Sequence, residues 1–204
     1  MKYLSLLITF FCFFSYSQNF DKRINELIQE NIEETIELRH WLHQNAELSN
    51  REFKTAERIA QELRKMGYNP KTGIAKTGVV AILNEGKAGP VVGLRADIDG
   101  LPVKERADIP WASKMTGVYN GEEVPVMHAC GHDMHTAILL STAKILYEIK
   151  DEIPGQVKFI FQPAEEGAPD GEEGGAELMV KEGVLLLMEY IAYLMIKVVL
   201  LLVI

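Results

Sequence analysis

Short, mostly apolar runs set between helical segments constrain this fold most. Gly78 to Leu83 and Val91 to Ala96 read as short buried strands, with 85–90 (Glu-Gly-Lys-Ala-Gly-Pro) as the turn between them. Gly155 to Phe161 reads as another strand. Around them the spacing changes to threes and fours. Ile24, Leu27, Ile28, Ile32, Ile36 and Leu38 mark a helix over 20–45. A second is expected up to Met66, with Ser49 as its cap, Glu52 closing a capping box and Gly67 ending it. Further helices are expected over 133–150 and 175–181. Helices alternating with apolar strands predict an α/β sheet covered by helices. No internal repeat is present.

The loops at the carboxyl ends of such strands carry the chemistry. Arg95-Ala96-Asp97-Ile98-Asp99-Gly100 follows one strand, and Gln162-Pro163-Ala164-Glu165-Glu166-Gly167 follows another. Met127-His128-Ala129-Cys130-Gly131-His132-Asp133-Met134-His135 opens a helix. The polar clusters fall at these positions, which predicts one composite site.

Cys130 and His132 offer a thiolate and an imidazole to one divalent metal or two neighbouring ones. Glu165 and Glu166 are adjacent in a turn, so their side chains point apart. One can bind metal while the other faces an attacking water as general base. Asp99 is expected to hydrogen-bond a metal-bound imidazole or to be satisfied by its own loop. Asp133 is placed in the same supporting tier, and His128 and His135 lie near the site. His40 and His43 are read as packing or hydrogen-bonding residues. Asp170, Glu172 and Glu173 are read as a solvated acidic turn.

The chain has 204 residues, 48% of them apolar, enough for one domain with a real core. A formal net charge of -8 argues against nucleic acid or an anionic membrane as the main partner. The first residues read as an export signal: Lys2, then an apolar run from Leu4 to Phe14, then Ser15-Tyr16-Ser17. Cleavage after Ser17 would leave Gln18 first and Cys130 as the lone cysteine, in a periplasmic or secreted protein. The alternative is an uncleaved anchor. From Val184 to Ile204 the sequence is apolar, broken only by Glu189 and Lys197. It is long enough to cross a bilayer, but its charges are costly there and no turn residue divides it into strands.

The motifs occur together in a recognisable order. Arg39-His40-Trp41-Leu42-His43, Glu47-Leu48-Ser49, Thr77-Gly78-Val79-Val80-Ala81, Arg95 to Pro102, Met127 to Asp133 and Phe161 to Glu166 resemble the metal-dependent N-acyl-amino-acid amidohydrolases. That group includes hippurate hydrolase, the plant auxin-conjugate hydrolases, and relatives of aminoacylase and carboxypeptidase G. The resemblance covers about Asp21 to about Val184. It implies a zinc-exopeptidase-like catalytic domain with a central mixed sheet flanked by helices, two divalent metals and an inserted lid domain. It also implies Cys130, His132 and Glu166 as ligands and Glu165 as general base and acid. Zinc or manganese, cobalt or nickel suit such donors. The substrate implied is a small N-acyl amino acid, cleaved to a carboxylic acid and an amino acid.

The chain departs from that pattern after Gly183. No His follows His135, where the group has two further His ligands and the lid. The reading is therefore an export signal over 1–17, the N-terminal part of a metallohydrolase domain over 18–184, and an aberrant, out-of-frame apolar tail over 185–204. It expects one metal or none to bind, impaired turnover and poor solubility. Dimerisation through the lid is left open, and membrane contact is assigned to the tail. The competing readings are an inactive metal-binding remnant tethered by that tail, and an esterase or peptidase using the same metal chemistry.

Overall fold

Alternation along one strand sets the layers of the molecule. In β6 (Gln156–Gln162), Val157, Phe159 and Phe161 point to one face and Ile160 to the other. β2 (Gly78–Leu83) repeats the pattern, with Val79, Ala81 and Leu83 opposite Val80. Burial on both faces of the sheet makes these runs mostly apolar, as the sequence predicts.

The structure is a computed structural model. It describes the backbone of residues 2–186 and 190–193 and the side chains of residues 20–186. The sheet has the order β1-β2-β6-β3-β7, with β1 (Lys71–Ile74), β3 (Val91–Asp97) and β7 (Tyr190–Tyr193) completing it. β1 and β2 are antiparallel, as are β2 and β6, while β6, β3 and β7 run parallel. The sheet is therefore mixed.

On the Phe159 face lie α1 (Lys2–Gln44), α2 (Phe53–Lys65) and α3 (His132–Glu148). They contribute Leu38, Leu42, Ile59, Leu63, Leu139 and Leu140 to the main core. On the other face α4 (Gly175–Lys181) packs Met179 on Val80 and Ile160. Phe159 and Phe161 are fully buried, and each is worth about 3–5 kcal/mol against truncation to Ala.

Three features differ from the sequence-based expectation. The capping box does not form. The Ser49 hydroxyl donates instead to Asp99 Oδ2 (2.8 Å), and the fully buried Glu52 carboxylate accepts from Thr77 Oγ1 (2.6 Å) and the Ala164 N–H (2.9 Å). The first turn of α2 is satisfied by Glu47, which accepts from the Lys54 and Thr55 N–H groups and the Thr55 hydroxyl.

Secondly, strands appear that apolar runs do not mark. β1 carries one apolar residue, and a hairpin of β4 (Met115–Tyr119) and β5 (Glu122–Val126) mixes apolar, polar and turn-type residues without a continuous apolar run. That hairpin packs Val126, Met115 and Tyr119 on Ala46 and Leu48. Thirdly, the first helix extends back from Phe20 to Lys2.

The side chains of the expected export signal over 1–17 lie outside the described residues. Residues 190–193 of the apolar segment pair with β3, and residues 187–189 and 194–204 of the expected aberrant tail lie outside the described residues. Among the described residues, no helix is long and apolar enough to cross a membrane.

Candidate metal centre

Strand register brings two of the chemical loops together. Asp97 of β3 is level with Gln162 of β6, so the chain leaves both strands side by side. The Ile98 N–H then donates to the Gln162 carbonyl (3.0 Å). The third loop is fixed by the Thr136 hydroxyl of α3, which donates to the Asp97 carbonyl (3.0 Å). Short bridges at Leu48–Gly100 and Leu101–Met127 close the ring of loops.

Asp99 is the centre of that ring. Its Oδ2 accepts from the Ser49 hydroxyl (2.8 Å) and the Glu166 N–H (3.0 Å), and its Oδ1 lies 3.1 Å from His132 Nδ1. Burial opposes its charge, but the hydrogen bonds from His132, Glu166 and Ser49 hold the carboxyl below its ordinary range. One buried carboxylate thus connects the loop before α2, the loop after β6 and the start of α3.

His132 opens α3 behind Gly131, whose φ of 91° lies in the left-handed region that glycine tolerates best. Its Nδ1 lies 3.0 Å from the Asp99 carbonyl and 3.1 Å from the Asp99 carboxylate, which fixes the Nδ1–H tautomer of the neutral ring. Nε2 is left to face Glu165 Oε2 (3.7 Å), Glu166 Oε1 (3.8 Å) and Asp97 Oδ2 (4.0 Å). Burial pulls the ring's pKa down, but Asp99 and Asp97 outweigh it and raise it to about 9.

Cys130, His132 and Glu166 each place one donor atom within 4.8 Å of the others. The Cys130 thiol is pushed up to about 11, first by its hydrogen bond with Glu166 and then by burial. A thiol, an imidazole nitrogen with a fixed tautomer and a carboxylate suit a divalent cation, which binds the thiolate and so displaces that proton. Glu165 stands beside this set with a side chain 38% exposed, open to solvent.

Asp133 follows His132 but turns to α1. Its Oδ2 is taken by Arg39 Nε (2.8 Å) and His43 Nδ1 (2.9 Å), while His43 Nε2 meets Glu105 Oε2 (2.8 Å). Burial again opposes the Asp133 charge, and the hydrogen bond with His43 and the nearby cations hold its pKa down. The same bond raises His43. His40 stacks on Trp111 with ring centroids 3.6 Å apart. His40 and His43 thus take the packing and hydrogen-bonding parts expected of them. His128 is buried, and burial lowers its pKa to about 4.

Sequence reasoning missed the tertiary partners of five residues: Glu52, Asp97, His135, Glu105 and Glu172. Glu52 holds the Ala164 N–H, and Ala164 itself has a φ of 48° immediately before the carboxylate pair. Asp97 and His135 approach to 3.5 Å, and with His132 they form a second group of potential ligands. Glu105 reaches His43 from a distant loop. Glu172, read as solvated, accepts from Asn50 and Arg51 just before α2 and from Lys76 between β1 and β2; those bonds lower its pKa to about 2. Local spacing signals none of these, because each pairing spans a large sequence separation.

Comparison with known proteins identifies the family. Residues 93–199 match peptidase family M20/M25/M40. The chain is 43% identical over 157 residues to thermostable carboxypeptidase 2 of Saccharolobus solfataricus, covering 76% of this chain and 37% of that protein. It is 43% identical over 164 residues to the N-acyl-L-amino acid amidohydrolase of Geobacillus stearothermophilus, covering 80% of this chain and 41% of that protein. The Bacillus subtilis YXEP protein, described as a dinuclear metal binding peptidase, superposes with a TM-score of 0.68 at 39% identity, over 78% of this chain and 41% of that one. The chain thus spans about two fifths of the length of these relatives.

Proposed function

The chain belongs to peptidase family M20/M25/M40, and from that premise we propose that it serves a metal-dependent hydrolase that cleaves the amide bond of small N-acyl amino acids. One observation carries the proposal: Cys130, His132 and Glu166 converge within 4.8 Å at the ends of parallel strands, with Glu165 beside them. The name of the Geobacillus relative supports the substrate class.

In this reading Cys130, His132 and Glu166 would hold a divalent cation, zinc or manganese. Bound there, such a cation would supply the positive charge that polarises an acyl carbonyl and makes water more acidic. The chain's residues do the rest. Glu165, close to His132 Nε2 yet exposed, takes a proton from the attacking water and returns it to the leaving amine. Asp99 keeps the His132 ring turned and holds the Glu166 backbone, so the carboxylate pair keeps its position. Asp133 anchors the first turn of α3 to α1. We further assign the protein to the periplasm or exterior through residues 1–17, which N-terminal sequencing of exported material tests by a new start at Gln18.

The test is hydrolysis of N-acetyl and N-benzoyl amino acids by metal-loaded protein and its Glu165→Gln variant. The expected result is amino acid release that falls about 100-fold or more in the variant, with bound metal unchanged. Bound metal with no release from the parent would instead favour a metal-binding remnant. Release from esters or dipeptides alone would favour the esterase or peptidase reading.

A further inference from the structure

We propose that Asp97, His132 and His135 form a second, alternative seat for a divalent cation, built only from nitrogen and oxygen donors. The proposal rests on the metal-dependent reading above and adds ligands to it. Asp97 ends β3, and His132 and His135 lie three apart on one face of α3.

His135 Nδ1 is 3.5 Å and His132 Nε2 is 4.0 Å from the same atom, Asp97 Oδ2. Ligands about 2.1 Å from a shared ion at tetrahedral angles stand about 3.4 Å apart, so a small closure completes the set. Strong direct hydrogen bonds would instead bring these atoms to about 2.7–3.0 Å. The seat is sheltered: Asp97 and His132 are buried and His135 is half-buried. Arg95 pairs with the other oxygen, Oδ1, leaving Oδ2 turned to the two imidazoles.

His132 joins the two seats and makes them exclusive. Asp99 occupies Nδ1, so only Nε2 has a lone pair for a cation. An ion on Nε2 therefore leans toward Cys130 and Glu166 or toward Asp97 and His135. Donor chemistry decides which. The thiolate set favours zinc and cobalt, and the Asp–His–His set accepts manganese without a sulfur ligand.

The experiment uses the 204-residue chain with Co2+, read by thiolate-to-cobalt absorption, and Mn2+, read by the resonance of the free ion. The parent is expected to bind Co2+ with the sulfur band. Cys130→Ser/Glu166→Gln is expected to lose that band yet bind one equivalent of Mn2+ within about tenfold of the parent affinity. Adding His135→Ala to that background is expected to weaken Mn2+ by about tenfold or more. His135→Gln is measured beside it, with circular dichroism on each variant to confirm the fold.

A parent that binds Co2+ with the sulfur band while the double variant binds no Mn2+ overturns the second seat and leaves the first standing. So does Mn2+ affinity indifferent to both His135 changes. A folded parent that binds neither ion overturns both the seat and the metal-dependent reading.

Discussion

Two loops leave neighbouring parallel strands at the same level, yet they differ in almost every physical respect. After β3, the Asp97 and Asp99 side chains are 3% and 0% exposed. After β6, those of Glu165 and Glu166 are 38% and 23% exposed. The first loop spends its polar atoms on the protein, through Ser49, His132, Arg95 and the Glu166 backbone. The second is held mainly by its backbone and borrows its fixed points: Glu52 for Ala164, Asp99 for Glu166 and Asn50 for Glu173. One loop places the site. The other presents carboxylates free enough to meet substrate and water.

The largest expected effect follows from removing the placing group. Asp99→Ala strands the Ser49 hydroxyl, His132 Nδ1 and the Glu166 N–H in a buried setting. The expected loss is about 3–5 kcal/mol in urea unfolding, because several partners lose one charged acceptor together. Cation affinity should fall about 10–100-fold, since His132 loses its fixed tautomer. An Asp99→Ala protein as stable as the parent would break the contrast between the loops.

The sequence made the candidate ligands and base of this arrangement more legible than the groups that support them. Cys130, His132, Glu165 and Glu166 are close in sequence to others of their kind, so their types and spacing carry the chemistry. The β2, β3 and β6 strands were legible because burial on both faces keeps most of their residues apolar. Ser49 and Glu52 fit a local capping pattern, yet their real partners are Asp99, Thr77 and Ala164, between 25 and 112 residues away. A local rule cannot weigh tertiary partners, and here a buried charged acceptor outcompetes the cap. β1 and the β4–β5 hairpin escaped notice because exposed strands lack an apolar run.

Glu52 gives the next effect, and it is readable through pH. Burial raises its pKa from the usual 4.5 to about 7, against the hydrogen bonds from Thr77 and Ala164. The folded state therefore holds a proton that the unfolded state has released between those values. Stability from this group is greatest below the unfolded value and falls as pH rises through about 7, by up to roughly 3 kcal/mol. Glu52→Gln removes the titration but keeps one acceptor oxygen. The difference between variant and parent should shift in the variant's favour by about 2–3 kcal/mol from about pH 4.5 to about pH 8. His128 and His132 also titrate across this range, so the comparison of the two proteins, rather than either curve alone, isolates Glu52. A difference that does not move with pH would mean that the Ala164 turn does not depend on a strained carboxylate.

The smallest effect on folding belongs to the residue with the largest expected effect on chemistry. Glu165 is more exposed than any other carboxylate facing His132 Nε2, and Glu165→Gln leaves its shape intact. Its backbone position is set by neighbours on either side, through the Ala164 and Glu166 N–H groups. Unfolding stability should therefore change by no more than about 0.5 kcal/mol, as for an ordinary surface change. If Glu165→Gln destabilised the fold as much as Asp99→Ala does, Glu165 would belong with the placing residues, and its part in proton transfer would lose its physical basis. A small change in stability, beside a large loss of turnover at constant metal content, assigns the two loops their separate work.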